Sequence, residues 1–480
     1  MIQTFALPAA VTAFAAASSL LAGCATAQPA AAGTDAQTGA QTGAIEALVA
    51  EAQSSAPYPG LAVSVRRGDT IIYEAGHGEA DLEQHTAASS DTVFQIGSIT
   101  KSFTGLLIAQ LAAEGLVDID APISTYLPDY SGPARSVPVR YLMNHTAGLV
   151  NYTALPDFPQ GSQRTVTRDV MRDYFEEADL MFEPGTAFSY SNSGTYTLGL
   201  IIEAVTGETY DIALAERVLE PLGLDRTYYA GYEPVIEGRA EGYVVGEDGF
   251  RNAPQLDPLV PFSAGALLST VQDIQDYIDQ VHRRNVFGDA VRDMLYEQAE
   301  LGDDTLAYAL GALVIRDWEG HRKIAHAGDI DGFAAYMSYY PDEDLSIVVM
   351  GSTRDVAPTP VGLEQKIARI VFDQPRPAPS TDPLADSEIA AIAGNYDASY
   401  MRIGIDRIGI LPREGGIAFR IGGVDAQGPA IPLLHLEGRT FLAAHDDEMV
   451  FNFAPDGGTP EDLTVDWLGG GIPFVHAAGE

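Results

Sequence analysis

Ser98 and Lys101 are residues whose types and spacing could support nucleophilic chemistry. A lysine one helical turn after a serine can take the hydroxyl proton and so create a nucleophile. The alternative is a serine at a helix N-terminus followed by a solvated lysine. The chain has only three lysines, yet an isolated S-x-x-K still arises by chance too often to identify a site. The choice between the two interpretations therefore depends on partners elsewhere in the chain.

The stretch from Phe94 to Gly115 must position this pair. Four apolar residues recur in it at the spacing of one helix face: Phe103, Leu106, Leu107 and Leu111. The pattern predicts a core-facing helix with Ser98 near its start. At that place the backbone N–H of Ser98 would point where an oxyanion forms, and the helix dipole would favour a neutral Lys101.

Two further motifs supply candidate partners. Tyr190-Ser191-Asn192 enters a second helical pattern, and His326-Ala327-Gly328 lies on a predicted strand. Tyr190 could relay the serine proton to a leaving group, and Asn192 could hydrogen-bond a substrate amide or Lys101. Taken alone, Tyr190 would be read as a core residue and His326 as a strand histidine.

With S-x-x-K, Y-x-N and H-x-G in this order, the sequence resembles the penicillin-recognising serine hydrolases. These include class C β-lactamases, D,D-peptidases, D-aminopeptidases and related esterases. The resemblance covers residues 45 to 372 and includes the flanking segments His145–Leu149 and Gly328–Phe333. It implies that an acyl-enzyme forms on Ser98, with Lys101 and Tyr190 as base and acid. It also implies a substrate-binding and oxyanion group made of Asn192, His326, Gly328 and Asp329, in which the backbone N–H of Asp329 is the second oxyanion donor.

The first position of the third motif bears on the substrate. The β-lactamases place lysine there, whereas this chain has His326, which is neutral for much of the time near pH 7. We therefore expect a serine hydrolase acting on an ester or amide, with a D-amino-acid-containing peptide of the cell envelope as one candidate substrate. The alternatives are a weak β-lactamase, or a penicillin-binding or sensing protein that is acylated with little turnover.

Composition and absent motifs exclude other classes. The net charge of -40 repels nucleic acid. No G-x-S-x-G occurs, so the serine is not on the nucleophile elbow of an α/β-hydrolase. No H-E-x-x-H occurs and the nine histidines do not cluster at ligand spacing, so we predict neither a metal nor a cofactor. The expected partner is a small-molecule or peptide substrate.

The N-terminal segment predicts export. Residues 1–24 include an uncharged apolar run that reads as a signal sequence, and it ends in Leu-Ala-Gly-Cys24. This ending resembles the lipobox of bacterial lipoproteins, so we expect lipidation of Cys24 and a periplasmic, membrane-anchored protein. The alternative is ordinary signal cleavage after Ala27. Residues 25–43 are rich in Ala, Gln, Thr and Gly and predict a flexible linker.

The rest of the chain divides at a Pro-rich segment. Residues 44–374 form the predicted hydrolase domain, 375–384 a linker, and 385–480 a small C-terminal β domain with short strands between glycine pairs. The expected fold class is α/β (α+β), with a β-lactamase-like antiparallel sheet flanked by helices, a mostly helical subdomain and a C-terminal antiparallel barrel. A single strand is predicted over Ala307–Arg316.

Overall fold

The computed structural model describes residues 31–480 apart from 56–57, 157, 159–165, 232–234, 303, 402–404, 455–461, 468–469 and 478–480. The predicted signal sequence with Cys24, and the first six residues of the predicted linker, lie outside the described residues. None of the helices in the described part is long and apolar enough to span a membrane.

A nine-stranded antiparallel sheet forms the centre of the first domain. The strands of this domain are β1 (Gly60–Arg67), β2 (Thr70–Asp81), β3 (Thr86–Ala87), β4 (Phe94–Gln95), β5 (Tyr228–Tyr229), β6 (Tyr243–Gly246), β7 (Gly249–Asn252), β8 (Leu267–Ser269), β9 (Gln298–Leu301), β10 (Asp304–Ala309), β11 (Leu313–Trp318), β12 (His321–Ile330), β13 (Phe333–Tyr340) and β14 (Leu345–Gly351). The large sheet has the order β3-β2-β1-β14-β13-β12-β11-β10-β9, while β4-β8-β5 and β6-β7 form two small sheets.

Helices cover both faces of the large sheet. They are α1 (Ala31–Ser55), α2 (Thr100–Ala113), α3 (Val139–Met143), α4 (Arg168–Asp173), α5 (Asn192–Thr206), α6 (Tyr210–Leu214), α7 (Glu220–Leu222), α8 (Val271–Ile278), α9 (Asp289–Leu295) and α10 (Pro360–Phe372). Along β1, Leu61, Val63 and Val65 pack towards α1 and α10, and Ala62 packs into the core on the opposite face, which contains α2. This alternation is what a strand between two helical layers requires.

Helix α2 is buried on nearly its whole circumference, from Thr100 to Leu111. The predicted apolar face at Phe103, Leu106, Leu107 and Leu111 is confirmed. The helix is nevertheless more central than an amphipathic pattern suggests, because α5 and α9 cover its other sides. This position decides the environment of Lys101.

The predicted flexible linker is wrong for residues 31–43, which belong to α1. Alanine has the highest helix propensity, so an Ala-rich composition is compatible with a helix as well as with a tether. The side chain of Gln41 donates a hydrogen bond of 3.0 Å to the carbonyl of Val371 in α10, and the hydroxyl of Thr42 donates one of 2.7 Å to Ile72. Tertiary contacts therefore fix the end of this segment, at Gln41 and Thr42, against the rest of the first domain.

The C-terminal region is a closed eight-stranded antiparallel barrel, as the short strand patterns predicted. Residues 374–385 form neither helix nor strand, and α11 (Asp386–Ile392) leads into the barrel. The barrel strands are β15 (Gly394–Ala398), β16 (Arg407–Arg413), β17 (Gly416–Ile421), β18 (Ile431–His435), β19 (Thr440–Ala443), β20 (Asp446–Phe453), β21 (Asp462–Trp467) and β22 (Gly470–His476). Strand β15 pairs with both β16 and β22, which closes the barrel around its own apolar core.

Candidate active site

Ser98 lies in a single 3-10 turn, Gly97–Ile99, directly before α2. Gly97 has a φ of 48°, and a Cβ atom there would lie 2.8 Å from the backbone nitrogen of Asp329 in β12. A Cβ atom on Gly328 would lie only 1.9 Å from the carbonyl oxygen of Ile96. Both positions need glycine because the serine turn and β12 approach each other closely. The predicted site residue Gly328 thus sets the distance between the two.

Lys101 is completely buried, and its Nζ atom lies 3.0 Å from Oγ of Ser98. Nζ also donates a hydrogen bond of 2.7 Å to the carbonyl of Ala264. Burial holds the pKa of the Lys101 amine well below its usual value, because the charged form would lose its hydration. The alternative of a solvated lysine is therefore wrong. A neutral amine at this distance can accept the serine proton.

Tyr190 lies beside the same pair. Its ring centroid is 4.8 Å from Nζ of Lys101, and its side chain is hydrogen-bonded to that of Ser98. Burial raises the pKa of the Tyr190 hydroxyl, and the hydrogen bond with Ser98 opposes this rise. A protonated phenol next to the serine is available to give a proton to a leaving group.

Asn192 makes no hydrogen bond to Lys101, which is one of the two partners expected from the sequence. Its side-chain amide donates to the hydroxyl of Thr153 at 3.2 Å rather than to Lys101. Its backbone N–H donates to the side chain of Asn151 at 3.2 Å. Asn192 begins α5, with Ser191 as the N-cap whose hydroxyl accepts from the N–H of Gly194. These contacts fix the chain immediately after Tyr190.

His326 is hydrogen-bonded through Tyr308 to a second histidine. The hydroxyl of Tyr308 lies 2.9 Å from Nε2 of His326 and 3.1 Å from Nε2 of His145. The backbone N–H of Ser191 donates to Nδ1 of His145 at 3.3 Å, and Nδ1 of His326 lies 2.6 Å from the carbonyl of Ala327. All three rings are buried.

The groups at the two ends of the hydrogen-bonded series His145–Tyr308–His326 determine which nitrogen of each ring carries the hydrogen. An N–H only donates, so Nδ1 of His145 accepts and its Nε2 carries the hydrogen that is donated to Tyr308. A carbonyl only accepts, so Nδ1 of His326 carries the hydrogen and its Nε2 accepts from Tyr308. Both imidazoles are neutral in this arrangement. Burial, with a smaller effect from Lys101, lowers the pKa of His326 to about 3 and that of His145 well below its usual value.

Asp329, whose backbone N–H the resemblance nominates as an oxyanion donor, follows Gly328 in β12. Its carboxylate is exposed and accepts a hydrogen bond of 2.7 Å from Arg354, which also pairs with Asp331 at 3.1 Å. The carboxylate of Asp329 is thereby paired with a cation, which it shares with Asp331. Strand β11 pairs with β12 only as far as Ala325, so the edge of β12 from His326 onward does not pair with β11.

These residues open on a cavity of about 410 Å³. Ser98, Tyr190, His326 and Asp329 line it, whereas Lys101 lies beneath its surface and Asn192 does not contribute to the lining. Within the described residues, no group of three or more His, Cys, Asp or Glu side chains could hold a metal ion. The arrangement offers a nucleophile, a neutral amine and a phenol, which together are suited to acyl transfer.

Residues 45–371 match the beta-lactamase family model. The chain belongs to the beta-lactamase family. It is 25% identical over 305 residues to Protein flp of Staphylococcus aureus (strain N315), a match that spans 61% of this chain and 59% of that protein. The chain thus spans about three fifths of the length of this curated relative. The family expected from the three motifs is confirmed.

Solved structures show the same fold. The octameric penicillin-binding protein homologue from Pyrococcus abyssi is similar with a TM-score of 0.61 and 21% identity, over 90% of this chain and 99% of that chain. The D-stereospecific amidohydrolase from Streptomyces sp. is similar with a TM-score of 0.59 and 25% identity, over 70% of this chain and 98% of that one. The first similarity extends over the barrel as well, because it covers more than the residues of the family match.

Tyr308 is the site residue that the sequence did not reveal. It lies in β10, which forms a hairpin with β11, whereas the sequence predicted one continuous strand over Ala307–Arg316. The prediction is wrong because the turn residue Ala312 adopts a left-handed φ of 53° that an apolar run does not signal. His145 could have been found, since its His-Thr-Ala-Gly-Leu segment was already part of the resemblance.

Proposed function

We propose that this chain is a serine hydrolase that cleaves an ester or amide through an acyl-enzyme on Ser98. The observation that carries the proposal is the 3.0 Å contact between Oγ of Ser98 and the buried Nζ of Lys101. The family match supports it, as does the similarity to a structure described as a D-stereospecific amidohydrolase. A D-amino-acid amide or peptide is accordingly one substrate to be tested.

The reaction would proceed in two halves. Nζ of Lys101 takes the proton of Ser98, Oγ bonds to the carbonyl carbon, and the negative charge moves to the carbonyl oxygen near the backbone N–H groups of Ser98 and Asp329. The bond to the leaving group then breaks, and the leaving alcohol or amine takes a proton through Tyr190. In the second half, water gives a proton to the same base and adds to the acyl carbon. The bond to Oγ then breaks, Oγ takes back a proton from Lys101, and the acid is released.

The proposal is tested by the turnover of p-nitrophenyl acetate by the wild type and by Ser98→Ala. We expect the variant to lose at least about 10³-fold in kcat, because removal of a serine nucleophile can cost up to about 10⁶-fold. Ser102→Ala is a matched control, because Ser102 is a buried serine of the same helix whose hydroxyl donates to Ile99 at 2.8 Å. Equal rates for wild type and Ser98→Ala would overturn the proposal.

The same measurement distinguishes a hydrolase from a sensing protein that is acylated with little turnover. One equivalent of p-nitrophenol per chain, followed by no turnover, would overturn hydrolysis in favour of slow acylation. A panel of nitrocefin, short-chain esters and D-aminoacyl amides then ranks β-lactamase, esterase and amidase activities by kcat/KM. We expect nitrocefin to rank below the other two groups, because His326 is neutral and its Nε2 is occupied by Tyr308.

A further inference from the structure

Both domains line the cavity at Ser98. From the first domain, Phe188, Tyr308, Val314 and Tyr336 contribute aromatic and aliphatic surface. The barrel supplies the facing wall, which consists of Met401, Ile405, Trp467, Gly470 and Ile472. We call these five residues the barrel wall. The cavity is large enough for a substrate group well beyond a methyl.

The barrel wall is held against the catalytic residues at two places. The backbone N–H of Phe188 donates to the carbonyl of Tyr400 at 3.0 Å, and Phe188 forms a parallel bridge with Met401. Phe188 stands two residues before Tyr190. At the other place, Arg316 of β11 forms an ion pair with Asp466, the neighbour of Trp467 in β21. The barrel wall is therefore anchored to the segment that carries Tyr190. It is also anchored to β11, which pairs with the first half of β12.

Among the described residues that line the cavity, none offers an unpaired charge to a substrate. His326 is neutral because burial lowers its pKa to about 3, and the carboxylate of Asp329 is paired with Arg354. The tyrosines that line it are protonated phenols, since burial raises the pKa of Tyr190, Tyr308 and Tyr336. A charged group placed against the barrel wall would lose its hydration and gain no ion pair from the described lining residues, which is costly. The net charge of -40 further disfavours anions.

We infer that the barrel wall is the specificity-determining half of an acyl subsite that takes an uncharged, apolar acyl group. The inference rests on the proposed hydrolysis at Ser98 and adds the substrate class: esters or amides of neutral acids with an aliphatic chain or aromatic ring, not of dicarboxylic acids. Each methylene that enters the subsite should raise kcat/KM about fourfold, corresponding to about 0.8 kcal/mol per buried CH₂.

The test compares p-nitrophenyl esters of two, four, six and eight acyl carbons. In the wild type, kcat/KM should rise with chain length until the cavity is filled. In Met401→Ala and Trp467→Ala, the ratio of kcat/KM for the six-carbon ester to kcat/KM for the two-carbon ester should be at least threefold smaller than in the wild type. Ile421→Ala is the control, because Ile421 is an exposed apolar residue of the same barrel. A wild-type profile that is flat, or variants that keep the full rise, would overturn the inference.

A second test uses a variant that is expected to gain activity towards a new substrate. Met401→Arg should raise kcat/KM for p-nitrophenyl glutarate relative to p-nitrophenyl pentanoate by about tenfold, since the new cation can pair with the distal carboxylate. An unchanged ratio in a variant that still turns over acetate counts against the subsite. The two proposals fail separately: activity that persists in Ser98→Ala removes the nucleophile, whereas Ser98-dependent activity without chain-length discrimination removes only the barrel wall.

Discussion

The hydroxyl group of Tyr308 lies 2.9 Å from Nε2 of His326, and it is the only hydrogen-bond partner of this nitrogen among the described residues. The same hydroxyl accepts the Nε2 hydrogen of His145 at 3.1 Å. One phenol thus satisfies two buried imidazole nitrogens at once. Burial keeps His326 neutral, so it offers no cation to a substrate carboxylate.

Tyr308→Phe should therefore destabilise the protein although the ring remains. The substitution leaves Nε2 of both His145 and His326 without partners in a buried place, and each unsatisfied group costs about 1–3 kcal/mol. We expect the free energy of unfolding to fall by at least about 1 kcal/mol, measured from the urea midpoint at constant slope. Some kcat/KM should be lost as well, because His326 would no longer be held in one orientation.

Tyr336→Phe is the matched control for this prediction. The hydroxyl of Tyr336 is also buried at the same cavity, but it has no hydrogen-bond partner among the described residues. Its removal should leave the free energy of unfolding unchanged or slightly raised. If the free energy of unfolding falls equally in the two variants, the hydrogen bonds of the Tyr308 hydroxyl to the two histidines do not contribute to stability.

Replacing His326 by glutamine should change how stability depends on pH. The pKa of His326 is about 3 in the folded chain, against about 6.5 when unfolded. Below pH 6.5 the unfolded chain therefore binds a proton that the folded chain does not. The stabilisation from this histidine is complete above about pH 6.5 and falls by about 1.4 kcal/mol per pH unit as the pH drops towards 3.

The free energy of unfolding, measured in urea at about pH 7, 6 and 5, should fall less steeply in His326→Gln than in the wild type. The difference in slope isolates this residue from the many carboxylates that titrate at lower pH. His85→Gln provides the comparison. The side chain of His85 is 80% exposed, so its replacement does not change the buried hydrogen bonds of His326. Parallel pH profiles for all three proteins would contradict a neutral, buried His326.

Local patterns predicted much of this molecule. The apolar spacing around Leu106 predicted α2, because a helix that faces a core repeats its apolar residues with a fixed period. The three motifs located Ser98, Lys101, Tyr190 and His326 without a structure. These residues need only local chemistry and chain order to be recognised.

What the sequence could not predict depends on pairings between distant parts of the chain. The contact of Phe188 with Met401 joins the two domains, and neither residue carries a signal of its own. The full burial of Lys101 likewise follows from how α5, α9 and the Ala264 loop cover α2. The turn at Ala312 was hidden because an unusual backbone angle in an apolar run leaves no composition signal.

Lys101→Ala should lose at least as much activity as Tyr190→Phe. Lys101 lies 3.0 Å from the serine oxygen, and burial already holds its pKa well below its usual value, so it can act as the base. Loss of a general base costs about 10²–10⁴-fold. The measurement is kcat/KM with p-nitrophenyl acetate, on variants whose circular dichroism matches the wild type. A larger loss in Tyr190→Phe would make the phenol the main base.

The pH profile of the wild type should agree with this assignment. Only the neutral amine accepts a proton, so kcat/KM should rise with pH through the lowered pKa of Lys101 and level off well below about 10.4, the value for a free lysine. The same rise should remain in His326→Gln, because His326 does not titrate in that range. Disappearance of the rise in His326→Gln would assign it to the histidine instead.

Gly328→Ala should separate the serine turn from β12. The added Cβ would lie 1.9 Å from the carbonyl oxygen of Ile96, so the backbone ahead of Ser98 must move. A displacement of about 1 Å at a reacting group can cost about 10²-fold in rate, and we expect a loss of that size in kcat/KM. In Gly416→Ala, the new Cβ meets only Cγ of Arg413 at 3.9 Å, so this barrel variant should keep its activity. If Gly328→Ala also keeps its activity, the close approach of β12 to the serine turn is not needed for the reaction.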